Sequence, residues 1–526
     1  MPEFRGSIAQ HYHERTKYDP ATIAGKAQSL NWHEQPIPFK DYKVGLAYDL
    51  KPYLSEKPDL GEFSDPWRRL SRLFFCSYGL TVKQVMMNGD AVYFRAAPSA
   101  GGLYPAEVYL VSRGTPLLPA GLYHYQAQTH SLLHFWDSDV WAALQDACLW
   151  HPSLNGTQLA IATTAVFSRS AWRYQDRAYR RICLDAGHLL GNIELACAIN
   201  DFRPHLIGGF VDEAVNQLMY LDVEQEGAIA IIALADLLEL DQNLSTGTTA
   251  LPSLTQIDFP DIPDGKLLPY FHYATQIQKT PSVPAFSTAL GAPLDTLPSS
   301  LTPADTTPAD TTPTDKYNFP FCLKVSTVSP PLGLGESLSA LEKTILKRRS
   351  TRAYTGANLT LDELNLLLDF TYQPQHYLDE GLDPSPDYFD LSLIQTFIAI
   401  SGVDGLDEGC YYYAPTAQEL RQIRFKNFRR ELHLLCLQQD LGRDAGAVLF
   451  HTADLKQAVG RYGDRVYRYL HMDAGHLGQR LNLAAIHLGL GVSGIGGFFD
   501  DQVNEVLGIP PDEAVLYITT LGRPRG

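Results

Sequence analysis

"RYQDRAYRRICLDAGHLLGNIELACAINDFRPHLIGGFVDEAVNQ" begins at Arg173, and "RYGDRVYRYLHMDAGHLGQRLNLAAIHLGLGVSGIGGFFDDQVNE" begins at Arg461. The two stretches align without a gap at an offset of 288 residues, with about 20 of 45 positions identical. The offset also holds upstream, where "GLYHY" (Gly121–Tyr125) meets "GCYYY" (Gly409–Tyr413). A period this long marks a duplicated domain, not a solenoid. Each copy reads in one order. An amphipathic helix ("LSRLFFCSYG"; "LDELNLLLDFTY") precedes a strand ("AEVYLV"; "IQTFIA") and a tyrosine-rich strand. A long helix and a closing strand follow. Helices and strands mix without a βαβ rhythm, which predicts an α+β fold. The long helix carries Ala and Gly on its apolar stripe. Small residues there suit close packing at the centre of a dimer-like interface, here within one chain.

The 526-residue chain is too long for one core. A formal charge of −17 argues against nucleic acid as a general partner. No signal peptide is read at the start, where "HYHERTKY" is polar, and no run of about 18 apolar residues predicts a membrane span. The seven cysteines are scattered without a CxxC, so they read as reduced thiols of a cytoplasmic protein. No HExxH occurs, and no metal is expected. "GLGVSG" at Gly489–Gly494 matches a dinucleotide fingerprint but follows a helix instead of a strand, so the match is coincidental. Ser282–Asn318 is rich in Pro, Thr, Ser and Asp and reads as a linker. The preceding stretch, about 240–280, has aromatics that suit packing on a domain surface. The resulting scheme is an N-terminal extension (1–60), a first domain (61–240), a linker region (241–335) and a second domain (336–526).

The copies differ where chemistry could sit. Copy two opens with "KRRSTRAY", placing Arg348, Ser350 and Arg352 together, and closes with "LGRPRG", adding Arg523 and Arg525. Cations with hydroxyls suit a phosphate monoester. Copy one has "YLSEKPDL" and the acidic "ADLLELD" at those places. Copy one instead carries "PSAGGLYP" (Pro98–Pro105), a turn with almost no side chains, as expected where a ligand lies against backbone. At the 288 offset it meets the bulky "PDYFDLSL" (Pro386–Leu393). Each copy has kept what the other lost, which predicts one composite site and a decayed twin.

"HYHERTKY", "RAAPSAGGLYPAEVYLV", "GLYHY", the paired "DAGHL", "RRSTRAY", "GIGGFFDD" and "LGRPR" together resemble the FMN-dependent nitroreductase fold. More narrowly they resemble its SagB-type dehydrogenase branch, which includes the azoline oxidases of cyanobactin and related peptide pathways. The resemblance covers nearly the whole chain outside the linker. It implies two tandem nitroreductase-like domains forming an intramolecular pseudo-dimer. It implies FMN with its phosphate on Arg348, Ser350, Arg352, Arg523 and Arg525. It also implies a flavin ring against Pro98, Ser99, Ala100 and Gly101, and backbone N–H groups of Ile495, Gly496 and Gly497 near flavin N5. Azoline oxidases often carry a Lys-Tyr pair at the start of the long helix. Here both copies read Arg-Tyr, at Arg173-Tyr174 and Arg461-Tyr462. Arginine stays protonated, so Tyr174 or Tyr462 beside its guanidinium is the candidate proton-handling group, and an ion-paired helix start is the competing reading. His188 and His476 recur in both copies and read as structural.

The expected activity is FMN-dependent oxidation of thiazoline or oxazoline rings in a ribosomal peptide, with dioxygen as electron acceptor. The alternatives are an NAD(P)H-dependent nitro or quinone reductase, another flavin-dependent dehydrogenation, and a flavin-free scaffold. The expected partners are a peptide or small-molecule substrate and dioxygen. A homodimer stays open.

Overall fold

The computed structural model describes residues 6–23, 30–55, 64–85, 91–239, 248–279 and 315–525. Most of the linker (282–314) lies outside them. In copy one, strands β1 (Leu46–Asp49), β4 (Ala106–Ser112), β5 (Gly121–Gln126), β6 (Ser131–Trp136), β7 (Leu159–Val166), β8 (Phe202–Ile207) and β9 (Glu226–Asp236) form a seven-stranded sheet in the order β1-β6-β5-β4-β7-β9-β8. Strands β2 (Leu80–Val85) and β3 (Ala91–Arg95) make a separate hairpin that feeds the bare turn. Copy two repeats the sheet with β10 (Lys324–Ser326), β12 (Gln395–Ile400), β14 (Gly409–Ala414), β15 (Glu419–Arg424), β16 (Ala447–Asp454), β17 (Gly491–Ile495) and β18 (Glu513–Gly522), in the order β10-β15-β14-β12-β16-β18-β17. The short pair β11 (Leu359–Thr360) and β13 (Val403–Asp404) lies apart. Position for position the two orders are the same. All pairings within the two large sheets are antiparallel.

The helices that position the site are α1 (Ile8–Thr16), α2 (Ser64–Tyr78), α3 (Phe167–Tyr174), α4 (Ala178–Ile199), α5 (Asp212–Leu218) and α6 (Leu267–Ala274). In the second half they are α7 (Ser339–Lys347), α8 (Leu361–Tyr372), α9 (Leu455–Tyr462), α10 (Val466–His487) and α11 (Asp500–Leu507). The largest core is shared by both copies and surrounds α4 and α10, while each sheet packs a smaller cluster on its outer face. By composition the α3–α4 stretch is apolar and long enough to cross a membrane, a signal the sequence reading missed because polar residues interrupt it. That stretch is buried inside the protein.

Helices α4 and α10 meet at Gly187 and Gly475. A Cβ on either would collide with a backbone carbonyl of the opposite helix, that of Met472 or Leu184, so only glycine permits this approach. Two reciprocal ion-pair clusters flank the crossing. Asp500 accepts from Arg177 (2.9 Å) and Arg180 (2.6 Å), and Asp212 accepts from Arg465 (2.6 Å) and Arg468 (2.8 Å). Each carboxylate belongs to the other copy from its arginines, and all six side chains are buried.

These clusters reveal a second pair of repeats. Arg180 also donates to Thr16 Oγ1 and to the His13 carbonyl, and Arg468 donates to Thr275 Oγ1 and to the His272 carbonyl. Tyr18 bridges Phe499, and Ile277 bridges Val211. Helix α6 is thus the counterpart of α1, and Tyr12 stacks on Phe271 at 4.3 Å where they meet. The N-terminal extension and the region assigned to the linker therefore contain the same element. Each duplicated unit thus has a cap helix of its own, α1 beside the second copy's Asp500 and α6 beside the first copy's Asp212.

Gly187→Ala or Gly475→Ala is expected to lower stability by about 1–3 kcal/mol through overpacking, read by urea unfolding. Gly460→Ala on α9, where a Cβ meets open space, is expected to be neutral or stabilising. Burial alone would raise the pKa of Asp500, but the Arg177 and Arg180 guanidiniums hold it below the ordinary value. Its stabilising contribution is present above about pH 4 and lost as pH falls through the depressed value. Asp500→Ala leaves two buried guanidiniums unpaired and is expected to cost about 3–5 kcal/mol at neutral pH, with a smaller difference from the parent in acid.

Candidate functional site

The bare turn is held from below. Asp185 on α4 accepts the Ser99 hydroxyl at 2.6 Å and the Ala100 N–H at 3.0 Å. Burial raises the Asp185 pKa to about 7 against the opposing pull of these hydrogen bonds. Ala100–Gly102 make one 3-10 turn, with Gly101 at φ +66° and Gly102 at φ +67°. That conformation favours glycine. Nothing lies within 4 Å of where a Gly102 Cβ would be.

Facing this turn are residues of copy two. Pro98, Ser99, Ala100 and Gly101 share a cleft of about 110 Å³ with Ser350, Arg352, Ser493, Gly494 and Gly496. Residues some 250 positions apart in sequence are thereby brought together. Ser350 and Arg352 make no side-chain hydrogen bond among the described residues, which leaves both free for an anion. Arg348 takes a different part. It is buried, and its Nε and Nη2 donate to the carbonyls of Ala96 (2.7 Å) and Arg95 (3.1 Å), so it clamps the strand that leads into the turn. Burial pulls its pKa down to about 10, and its Nη1 has no partner.

The remaining expected residues fall in several places. Gly496 lines the cleft; Ile495 and Gly497 are buried beside it. Arg523 and Arg525 do not line it. The Arg523 guanidinium pairs with both oxygens of Glu363 at 2.7 and 2.8 Å, and Arg525 is anchored by its backbone to Ala353. The C-terminal arginines thus fix the Arg352 segment from behind and depart from the direct phosphate role expected of them. Tyr174 does reach the cleft edge, since a Cβ on Gly101 would lie 2.7 Å from its hydroxyl. Arg173 is exposed beside it. Tyr462 contradicts the expectation. Its hydroxyl donates to Asp390, which also pairs with Arg461 at 2.8 Å. Burial, with the Asp390 carboxylate, raises the Tyr462 pKa, the wrong direction for a base.

Among the cleft residues that the sequence reading missed are Arg181, Asp185, His188 as a lining group, and Tyr517. Arg181 lies with its guanidinium 3.7 Å from the Tyr174 ring centroid, and its Nε has no partner. A signal for it existed, because copy two has Tyr469 at that place within an otherwise matching stretch.

The twin cleft is filled. Its turn is Leu391–Leu393, preceded by Asp390 as Ala100–Gly102 is preceded by Ser99, although only the Asp390 side chain accepts a hydrogen bond from its turn, that of the Ser392 N–H. The ungapped offset therefore fails by three residues at the turn, and the counterpart of Ser99 is Asp390 instead of Asp387. Phe389 stacks on Tyr469 at 4.6 Å and sits against Gly208, the counterpart of Gly496. Asp387 pairs with Arg203 at 3.1 Å and accepts the Leu206 N–H at 2.9 Å. Tyr388 stacks on His476 at 4.3 Å, and Leu251 covers Gly209.

Comparison with known proteins identifies the fold. The family model described as "Nitroreductase family" matches residues 81–235 and 345–523. A crystal structure described as a "putative nitroreductase" from Anabaena variabilis ATCC 29413 is 68% identical, covers 99% of this chain and 100% of its own, and superposes with a TM-score of 0.91. "Putative nitroreductase MJ1384" of Methanocaldococcus jannaschii is 33% identical over 183 residues, which is 35% of this chain and 90% of that protein. A chain of the Escherichia coli microcin synthetase McbBCD complex is 17% identical over 43% of this chain and 91% of its own, with a TM-score of 0.27. With two matched segments spanning more than half its length, each on one of the two repeated sheets, the chain belongs to the nitroreductase family as a tandem pair of nitroreductase-fold units.

Proposed function

We propose that this protein is an FMN-dependent dehydrogenase with one flavin site per chain, which oxidises thiazoline or oxazoline rings of a ribosomal peptide to thiazole or oxazole, with dioxygen as the final electron acceptor. The observation that carries the flavin part is the composite cleft. It joins a side-chain-free turn, an uncommitted serine and arginine, and a buried guanidinium with a free donor, while its twin is plugged by Phe389. This donor set fits FMN. Ser350 and Arg352 would hold the phosphate. The Pro98–Gly101 backbone would lie along the ring, and Arg181 would place positive charge where the reduced ring gathers negative charge.

FMN, when bound, supplies the two-electron acceptor. The chain's own part is position and proton handling. Asp185 holds the turn rigid through two hydrogen bonds, and Arg348 fixes the strand entering it. The Tyr174 hydroxyl stands at the cleft edge with Arg181 against its ring, which suits it to take the proton lost from substrate carbon. An extended substrate is supported by a groove of about 1230 Å³ that runs from Gly102 between the 32–41 segment, β3 and the turn after β5. The family membership keeps a second reading in play, NAD(P)H-driven reduction of nitro groups or quinones.

The purified protein is expected to be yellow, with about one FMN per chain; two would refute the plugged twin, and none would favour a flavin-free scaffold. Gly101→Val is expected to weaken FMN binding at least tenfold, a loss of about 1.4 kcal/mol or more, through its positive φ and the Tyr174 contact. Tyr388→Ala in the plugged twin is expected to leave binding unchanged. Incubation with an azoline peptide is expected to remove the mass of two hydrogens and, without oxygen, to bleach the flavin. Rapid bleaching by NAD(P)H with no change in the peptide would instead select the reductase.

A further inference from the structure

Four buried side chains beneath the open cleft form a hydrogen-bonded chain whose polarity is set at its far end. Asn192 Nδ2 donates to the carbonyls of Cys76 and Ser77, each at 3.2 Å. Carbonyls only accept, so the Asn192 amide is oriented and its Oδ1 must receive Gln479 Nε2, at 2.6 Å. Gln479 then offers Oε1 to His188 Nδ1 at 2.9 Å, so that nitrogen carries the hydrogen. His188 Nε2 is left bare and accepts the Tyr517 hydroxyl at 2.8 Å. Every donor in the chain points away from the cleft.

The Tyr517 oxygen therefore meets the cleft with its own hydrogen already committed. It presents lone pairs only. It also lies directly over Gly494, where a Cβ would overlap it, so the glycine is what lets the hydroxyl reach this position. Burial lowers the His188 pKa to about 3, which keeps the ring neutral and the polarity fixed at physiological pH. The chain crosses between copies: Asn192 and His188 lie on α4, Gln479 on α10 and Tyr517 on β18.

The plugged twin lacks the arrangement. In strand register Ala230 stands where Tyr517 does, since Thr163 pairs with Ala230 as His451 pairs with Tyr517. His476, the counterpart of His188, is bound to the Glu194 carboxylate at 2.9 Å and covered by Tyr388. The recurrence of the two histidines thus hides different roles.

We propose that Tyr517 is a ligand-positioning residue, whose oxygen accepts the N–H of an imide edge on a planar heterocycle bound in the cleft, with His188, Gln479 and Asn192 holding it in the acceptor state. Resting on the cofactor reading above, the heterocycle is FMN, and its oxidised ring has one such donor, N3–H.

The test compares FMN with 3-methyl-FMN, which lacks that hydrogen, by flavin fluorescence on binding to the apoprotein. The parent is expected to bind FMN about threefold to tenfold more tightly than the methyl analogue, the worth of one neutral hydrogen bond. Tyr517→Phe is expected to bind the two alike. Discrimination that survives in Tyr517→Phe overturns this inference alone; failure of the parent to bind FMN overturns the cofactor reading and this inference with it. Nitrogen-15 spectra of the labelled apoprotein check the polarity without any flavin. They are expected to show His188 protonated at Nδ1 in the parent, and protonation at Nε2 would overturn the inference.

Discussion

The close contact of Gly187 with Gly475 is the constraint on which the rest depends. Two helices this near one another can bury polar side chains that reach across the seam, because each finds its partner on the other helix at short range. Glu194 takes Arg480 and His476, and Gln479 takes His188 and Asn192. The Asp500 and Asp212 clusters then lock the ends. The two units consequently cannot separate without stranding buried charge, and the crossing fixes where the bare turn of copy one meets the Ser350–Arg352 segment of copy two.

Fusion of two units into one chain removes the need for both clefts to work. In a symmetric dimer any change at the turn occurs twice and damages both sites. In this chain it occurs once. Phe389 and Asp387 occupy the twin cleft, with Asp390 at its turn, while Ala100 and Gly101 keep the other bare. The basic segment needed opposite Ala100 belongs to copy two alone, and copy one has acidic residues in the corresponding places. Complementary loss is the arrangement that leaves one complete site.

Much of this was legible in the sequence. The offset of 288 exposed both sheets and both long helices, because core positions of α4 and α10 are constrained by packing and diverge slowly. The composite cleft was legible in the contrast between "PSAGGLYP" and "KRRSTRAY". Four things were not. The α1 and α6 repeat shares only scattered residues, such as His13 with His272 and Thr16 with Thr275, and its offset is shorter than 288 residues. The turn register was misjudged by three residues, because a loop can lose residues without disturbing the strand after it. Arg523 and Arg525 looked like phosphate ligands by charge, but charge does not reveal that Glu363 stands opposite Arg523. Tyr517 was invisible because a tyrosine in a buried strand reads as core.

The floors of the two clefts show what a working site requires physically. Beneath the plugged cleft lies the ion pair of Glu194 with Arg480, with His476 bound to the same carboxylate and covered by Tyr388. Such a set is stable only while its partners stay paired and dry, since uncovering one member leaves a charge partly solvated and partly stranded. Beside Asp185 and Arg181, the floor of the open cleft is a neutral chain, with Asn192, Gln479, His188 and Tyr517 each satisfied by the next. A neutral chain keeps its geometry whether the cleft holds a ligand or water, because no member needs a counter-charge from the occupant. At the equivalent positions Asn192 on α4 and Arg480 on α10, the open cleft thus stands on a dipole and the plugged one on an ion.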